Sequence, residues 1–137
     1  NLQIDPLWWG AGLHMTEPTG YLAVHQDFSV LPPTFTKPQQ LLRVINIIGY
    51  LNKDWTPRDG GELELWNPEG DRVVKKIEPK FNRWVIFDTR GTFHGHPHPF
   101  KGSQARISVA SYYYVEQSVP KDQWRSTEYL KLPWRED

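Results

Sequence analysis

His25 and Asp27 stand two residues apart in Tyr21-Leu22-Ala23-Val24-His25-Gln26-Asp27-Phe28. This stretch reads as a β-strand, and side chains two apart on a strand project to the same face. An imidazole nitrogen and an anionic oxygen brought together in this way suit a divalent cation. A second histidine would complete the two-histidine, one-carboxylate set that holds non-heme Fe(II) on one face and leaves coordination positions open. Three candidates follow in Phe93-His94-Gly95-His96-Pro97-His98-Pro99, at two-residue spacing in a proline-stiffened, extended segment. On spacing alone His94, His96 and His98 share a face, and any of them suits the third position. The competing interpretation of His25 and Asp27 is a buried histidine satisfied by a neighbouring carboxylate in a purely structural pair.

Arg106 is the next chemically informative residue. In the strand predicted over Ala105 to Val115 it shares a face with Ser108, Ala110, Tyr112 and Tyr114. A guanidinium beside small residues leaves volume for a carboxylate ligand, which arginine grips with a two-pronged geometry that lysine lacks. Its bland alternative is a surface ion pair.

The elements that must carry these residues are short and extended. Leu7 to Met15 reads as an edge strand broken by glycines, and Glu17-Pro18-Thr19-Gly20 as the turn before the His25 strand. His14 is expected at the surface or in packing. Leu31 to Pro38, with Pro32, Pro33 and Pro38, reads as a loop, and its start just after Asp27 makes it a candidate border of a substrate entrance. Leu41 to Leu51 is a long apolar strand whose even positions, Leu42, Val44, Asn46, Ile48 and Tyr50, share one face. After a loop over 52–61 come strands at 62–66, Val73 to Ile77 and Arg83 to Phe87. The tail containing Trp124, Tyr129 and Trp134 is expected to pack over the sheet or an interface, with a short helix from Lys121 to Leu130.

The 137 residues suit one domain, 1–137, with no repeat or linker. Twelve Pro, ten Gly and 14% aromatics, spread over many short alternating segments, favour an all-β sandwich or barrel. Sixteen basic residues balance sixteen acidic ones, and no basic stripe of the kind a phosphate backbone demands is present, so nucleic acid is not an expected partner. No apolar run approaches the roughly 20 residues of a membrane span, and residues 1–6 do not resemble a signal peptide. Cysteine is absent, which excludes disulfides and thiolate sites; a cytoplasmic location is the expectation.

The order His25-x-Asp27, Tyr50, Gly60-Gly61, His94, Arg106 resembles the Fe(II)- and 2-oxoglutarate-dependent oxygenases, in the prolyl 4-hydroxylase-like branch. Tyr50-Leu51-Asn52-Lys53-Asp54-Trp55, Gly60-Gly61-x-Leu63, Pro68-Glu69-Gly70 and Ile77-Glu78-Pro79-Lys80-Phe81-x-Arg83 are similar to segments of the hypoxia-inducible-factor prolyl hydroxylases. Phe93-His94-Gly95-His96-Pro97 with Ser111-Tyr112-Tyr113-Tyr114 is closer to a bacterial and viral group of the same superfamily.

The resemblance implies a double-stranded β-helix, a cupin-like jelly roll with few short helices. It implies a catalytic set of His25, Asp27, His94 and Arg106. Of these, His25, Asp27 and His94 would bind Fe(II). Counted from Ile77-Glu78-Pro79-Lys80-Phe81, the family register falls within one residue of His94, and His96 is the runner-up for third ligand. Arg106 and Tyr50 would hold the distal carboxylate of 2-oxoglutarate, with Ile48, Leu63 and Tyr112 lining its pocket. The implied reaction consumes 2-oxoglutarate and O2, releases succinate and CO2, and hydroxylates an unactivated carbon of a prolyl residue or a related amino-acid or peptide substrate. Ascorbate is the candidate reductant. The carboxylate of Asp27 argues against a halogenase, since halide-using relatives give up that ligand. Only 24 residues precede His25, fewer than relatives place there. The expectation is therefore that supporting N-terminal elements are missing and that a homodimer or partner supplies support. The alternative from another class is a lectin-like jelly-roll binding module without turnover, which would have no use for Arg106 and Tyr50 at these positions.

Overall fold

The computed structural model describes residues 1–5, 7–33 and 38–133. Among them, runs of β-branched and aromatic residues between Gly, Pro and Asn turns form eleven strands. In chain order these are β1 (Gln3–Ile4), β2 (Gly12–Thr16), β3 (Leu22–Gln26), β4 (Val30–Leu31), β5 (Leu41–Tyr50), β6 (Leu63–Trp66), β7 (Val73–Ile77), β8 (Trp84–Asp88), β9 (Phe93–His96), β10 (Arg106–Glu116) and β11 (Glu128–Tyr129). All pairings are antiparallel.

The larger sheet is built on β10 and β5, which pair from Ser108↔Tyr50 to Glu116↔Leu41. The free edge of β10 is covered first by β2 and then by β1, and that of β5 by β8 and β4. The smaller sheet runs β11-β3-β9-β6-β7. Side chains from both sheets meet in one core cluster of Tyr50, Leu63, Val85 and Phe87, with Ile48, Leu65 and Ile77 packed against it. Burying each large apolar side chain contributes about 1.5–3 kcal/mol, which is what holds the sheets together. Two antiparallel sheets enclosing a site between them form the expected all-β jelly roll. No helix among the described residues is long and apolar enough to cross a membrane.

Three local expectations are corrected. The predicted Lys121 to Leu130 helix is a single 3-10 turn, Lys121–Gln123, followed by the extended β11. Backbone partners elsewhere outcompete helix formation: Ser29 N–H donates to Arg125 O at 3.0 Å, and Leu130 N–H donates to Val24 O at 2.9 Å. The glycine-broken strand over Leu7 to Met15 is strand only from Gly12, because Trp8 and Gly10 adopt left-handed backbone (φ 54° and 73°). The even-position face of β5 breaks near its start. Arg43 is opposite Tyr114 and Ile45 opposite Tyr113, so Val44 is an extra, bulged residue that reverses parity. Leu41 and Arg43, rather than Leu42 and Val44, therefore join Asn46, Ile48 and Tyr50 on the inner face.

The 17–20 turn forms as expected, with Gly20 N–H donating to Glu17 O at 2.9 Å. Of the tail, Leu130 and Leu132 pack on Val24, Trp66 and Phe93, whereas Tyr129 is exposed and Trp134 lies outside the described residues. Residues 34–37 of the proline-rich loop also lie outside them.

Candidate metal centre

β3 and β9 pair so that His25 and His94 are direct cross-strand partners. Their rings sit 4.5 Å apart between centroids, since antiparallel neighbours on one face are the closest side chains a sheet provides. Gly95 makes the approach possible. A Cβ there would lie 2.8 Å from Leu22 O and 2.9 Å from both Ala23 O and Val24 Cα.

β3 ends at Gln26, so Asp27 lies just past the strand, yet its carboxylate still turns in beside His25. Asp27 Oδ1 is 3.6 Å from His25 Nε2, and Oδ2 is 3.8 Å from His94 Nε2. One ligand atom from each of the three residues lies within 4.8 Å of the others. His25 Nδ1 pairs with Ala23 O at 2.9 Å and His94 Nδ1 with Thr92 O at 3.5 Å. Carbonyls that take the Nδ1 protons leave the Nε2 lone pairs pointing to the centre, the usual way a sheet orients ligating histidines.

Burial pushes His94 down to about 4, only partly opposed by the Asp27 charge, so its ring is neutral near pH 7. Burial also works against ionisation of Asp27, but the His25 hydrogen bond and the His94, Arg43 and His25 charges outweigh it and hold the carboxyl below its ordinary value. His25 is likewise desolvated, but Asp27 and Ala23 O more than offset this and raise it. Asp27 Oδ2 is buried without a hydrogen-bond partner. An orphaned anionic oxygen facing the neutral imidazole of His94 is an arrangement that a divalent cation satisfies.

The other two histidines separate from this group. His98 lies beyond β9, its side chain mostly exposed and 3.7 Å from Glu64. His96 is buried and lines the same cavity, but it is paired with Leu22 rather than with a ligand, and its Nδ1 has no hydrogen-bond partner. Burial first, then the Arg106 and His25 charges, push it down to about 3. His14 is exposed at the cavity wall.

The cavity, about 340 Å³, runs from His25 and His94 past Ile48, Leu63 and Tyr112 to Arg106 and Ser108. The glycine pair and the Asn52 motif explain the placement of Arg106. Gly60 and Gly61 are both left-handed (φ 72° and 70°), which lets Gly61 O accept from Arg106 Nε at 2.9 Å. Asn52 clamps the start of β10, donating to Ala105 O at 2.6 Å and accepting from Ile107 N–H at 2.8 Å. Tyr50 is fully buried, and its hydroxyl oxygen is 3.5 Å from Arg106 Nη2. Burial raises the Tyr50 phenol despite the adjacent Arg106 charge, so it remains a hydroxyl. Arg106 is lowered from its ordinary value by burial, partly offset by Tyr50, and remains a cation.

Sequence reasoning missed Arg43, whose Nη1 lies 3.5 Å from Asp27 Oδ1 at 3% exposure. A charge within an otherwise apolar strand was the available signal. It also missed Asn46, buried on the cavity wall with an unpartnered Oδ1, and Tyr129, whose ring stands 5.5 Å from that of His25.

The 2OG-Fe(II) oxygenase superfamily matches residues 11–114. Egl nine homolog 1 of Rattus norvegicus is 37% identical over 76 residues, covering 53% of this chain and 21% of that protein. The chain thus spans about a fifth of the length of that relative. In fold it is similar to a Pseudomonas putida prolyl-4-hydroxylase (TM-score 0.55, 21% identity, 77% of this chain and 50% of that one). It is also similar to a Phytophthora capsici prolyl 4-hydroxylase (TM-score 0.52, 24% identity, 74% and 30%).

Proposed function

The chain belongs to the 2OG-Fe(II) oxygenase superfamily, and from that premise we propose that it is an Fe(II)- and 2-oxoglutarate-dependent dioxygenase. In this reading it hydroxylates an unactivated carbon, that of a prolyl residue or a related amino-acid or peptide substrate. The observation that carries the reading is the joining of two features by one cavity: His25 and His94, whose ligand atoms lie with that of Asp27 within 4.8 Å of one another, line one end of it, and a buried arginine lines the other.

His25, Asp27 and His94 would hold the iron, through two nitrogens and one oxygen. The iron, when bound with 2-oxoglutarate and O2, supplies the oxidising power that splits the oxo acid into succinate and CO2 and hydroxylates the substrate. The chain's own contribution is binding and orientation. Arg106 is oriented by Gly61 O and backed by Tyr50, so its guanidinium is a pre-set partner for the distal carboxylate. Ile48, Leu63 and Tyr112 line the cavity and would supply the walls for the methylene carbons. The mouth carries exposed Tyr21, Leu22 and Tyr129, where a side chain or peptide would enter. The likeness of the Tyr50 to Trp55 segment to prolyl hydroxylases supports the prolyl assignment.

The test is an anaerobic titration with Fe(II) and 2-oxoglutarate. The expected result is a visible metal-to-ligand charge-transfer band, followed by succinate when air is admitted. No band and no succinate would overturn the oxygenase reading. A panel of prolyl peptides and free amino acids, scored by a gain of one oxygen in mass, tests the substrate class.

A further inference from the structure

Arg43 is held from every side. Its Nε donates to the Tyr114 hydroxyl at 2.8 Å, and its Nη2 to Trp9 O at 3.2 Å. The Tyr114 hydroxyl donates onward to Asp5 Oδ2 at 3.2 Å. Asp5 is fully buried and pins its own loop, accepting from Leu7 N–H at 2.8 Å and Trp9 N–H at 3.1 Å. The rings of Phe28 and Tyr112 each have their centroid 3.8 Å from the guanidinium carbon. A planar cation packed and bonded in this way has no alternative rotamer open to it.

The two oxygens of Asp27 meet different surroundings. Oδ1 is shared between Arg43 Nη1 at 3.5 Å and His25 Nε2 at 3.6 Å, while Oδ2 is sealed without a hydrogen-bond partner, 3.8 Å from His94 Nε2, and meets no cation among the described residues. An unrestrained carboxylate can ligate with one oxygen or two. The second oxygen would take one of the positions that the facial arrangement leaves open.

We infer that Arg43, fixed through Tyr114 by Asp5, is a positioning residue that keeps Oδ1 of Asp27 off the metal and commits the carboxylate to one-oxygen ligation through Oδ2. Asp5 and Trp9 then belong to the surroundings of the metal centre, although neither is among its candidate ligands. This rests on the assignment of His25, Asp27 and His94 as metal ligands.

The test uses the full chain loaded with Mn(II), in which water-proton relaxivity reports how many waters the metal carries. In Arg43→Met, the freed oxygen displaces one of three waters, so relaxivity per bound Mn(II) falls by about a third. Tyr114→Phe and Asp5→Asn, each of which alters a single polar group, shift it in the same direction by less. Unchanged relaxivity in a folded Arg43→Met protein binding one Mn(II) overturns the inference. If Arg43→Met does not fold, unchanged relaxivity in both milder variants overturns it instead. A wild-type chain that binds no Mn(II) sinks the metal-centre assignment and the inference together, which separates that failure from the first.

Discussion

His25 and His94 are direct partners in the β3–β9 ladder, and their Nε2 atoms address different oxygens of Asp27, at 3.6 and 3.8 Å. Two of the three candidate ligands therefore depend on one strand register. A slip of one residue would turn one imidazole to the opposite face.

Substitution of the histidines separates their roles. His94→Ala is expected to abolish metal binding and iron-dependent turnover, while His98→Ala keeps both and His96→Ala keeps metal binding. Metal titration of the three variants checks this, and turnover retained in His94→Ala would move the third ligand to His96.

Arg106 and Tyr50 should differ in weight. Hydrogen bonds to a charged partner contribute about 1.5–3 kcal/mol, so Arg106→Leu is expected to weaken 2-oxoglutarate binding by ~10–150-fold. Tyr50→Phe removes a neutral hydroxyl behind the guanidinium and should cost ~3–10-fold. Calorimetric titration of the anaerobic Fe(II) protein measures both.

Gly95→Ala tests the close approach of β9 to β3. The added methyl would fall under 3.0 Å from backbone atoms of Leu22, Ala23 and Val24, and the backbone must move to admit it. A loss of about 1–3 kcal/mol in urea unfolding is expected, together with weaker metal binding.

The metal-free protein should be acid-sensitive. His94 and His96 are held at about 4 and about 3, against an ordinary value of 6.5. Between those values and 6.5 the unfolded chain binds more protons than the folded one, so stability rises with pH through the window and is lost on acidification. Each histidine contributes a slope of about 1.4 kcal/mol per pH unit. His25, raised when folded, works in the opposite sense, its contribution being present at low pH and lost as pH rises through its folded value. Urea midpoints at pH 7, 6 and 5 with a chelator should fall with pH, and His96→Val should flatten the dependence.

Much of the site was legible in the residues because it depends on the two-residue period of a strand and on the chemistry of single segments. The convergence of His25 with Asp27, and the shared face of Arg106, Ser108, Ala110, Tyr112 and Tyr114, are local properties of this kind. The glycine pair was legible as a motif, though its task of presenting Gly61 O to Arg106 was not. Tertiary structure alone separated His94 from His96 and His98, since three histidines at equal spacing are distinguished only by what lies across the ladder. The lone charge of Arg43 in an apolar strand was a local signal, but tertiary structure alone turned it inward, because the bulge at Val44 is set by the register of β5 against β10. It also drew the tail into β11 rather than a helix, because the backbone partners that Ser29 and Val24 offer lie about a hundred residues away along the chain. Local periodicity determines which side chains can share a face; only the pairing of distant strands decides which of them meet.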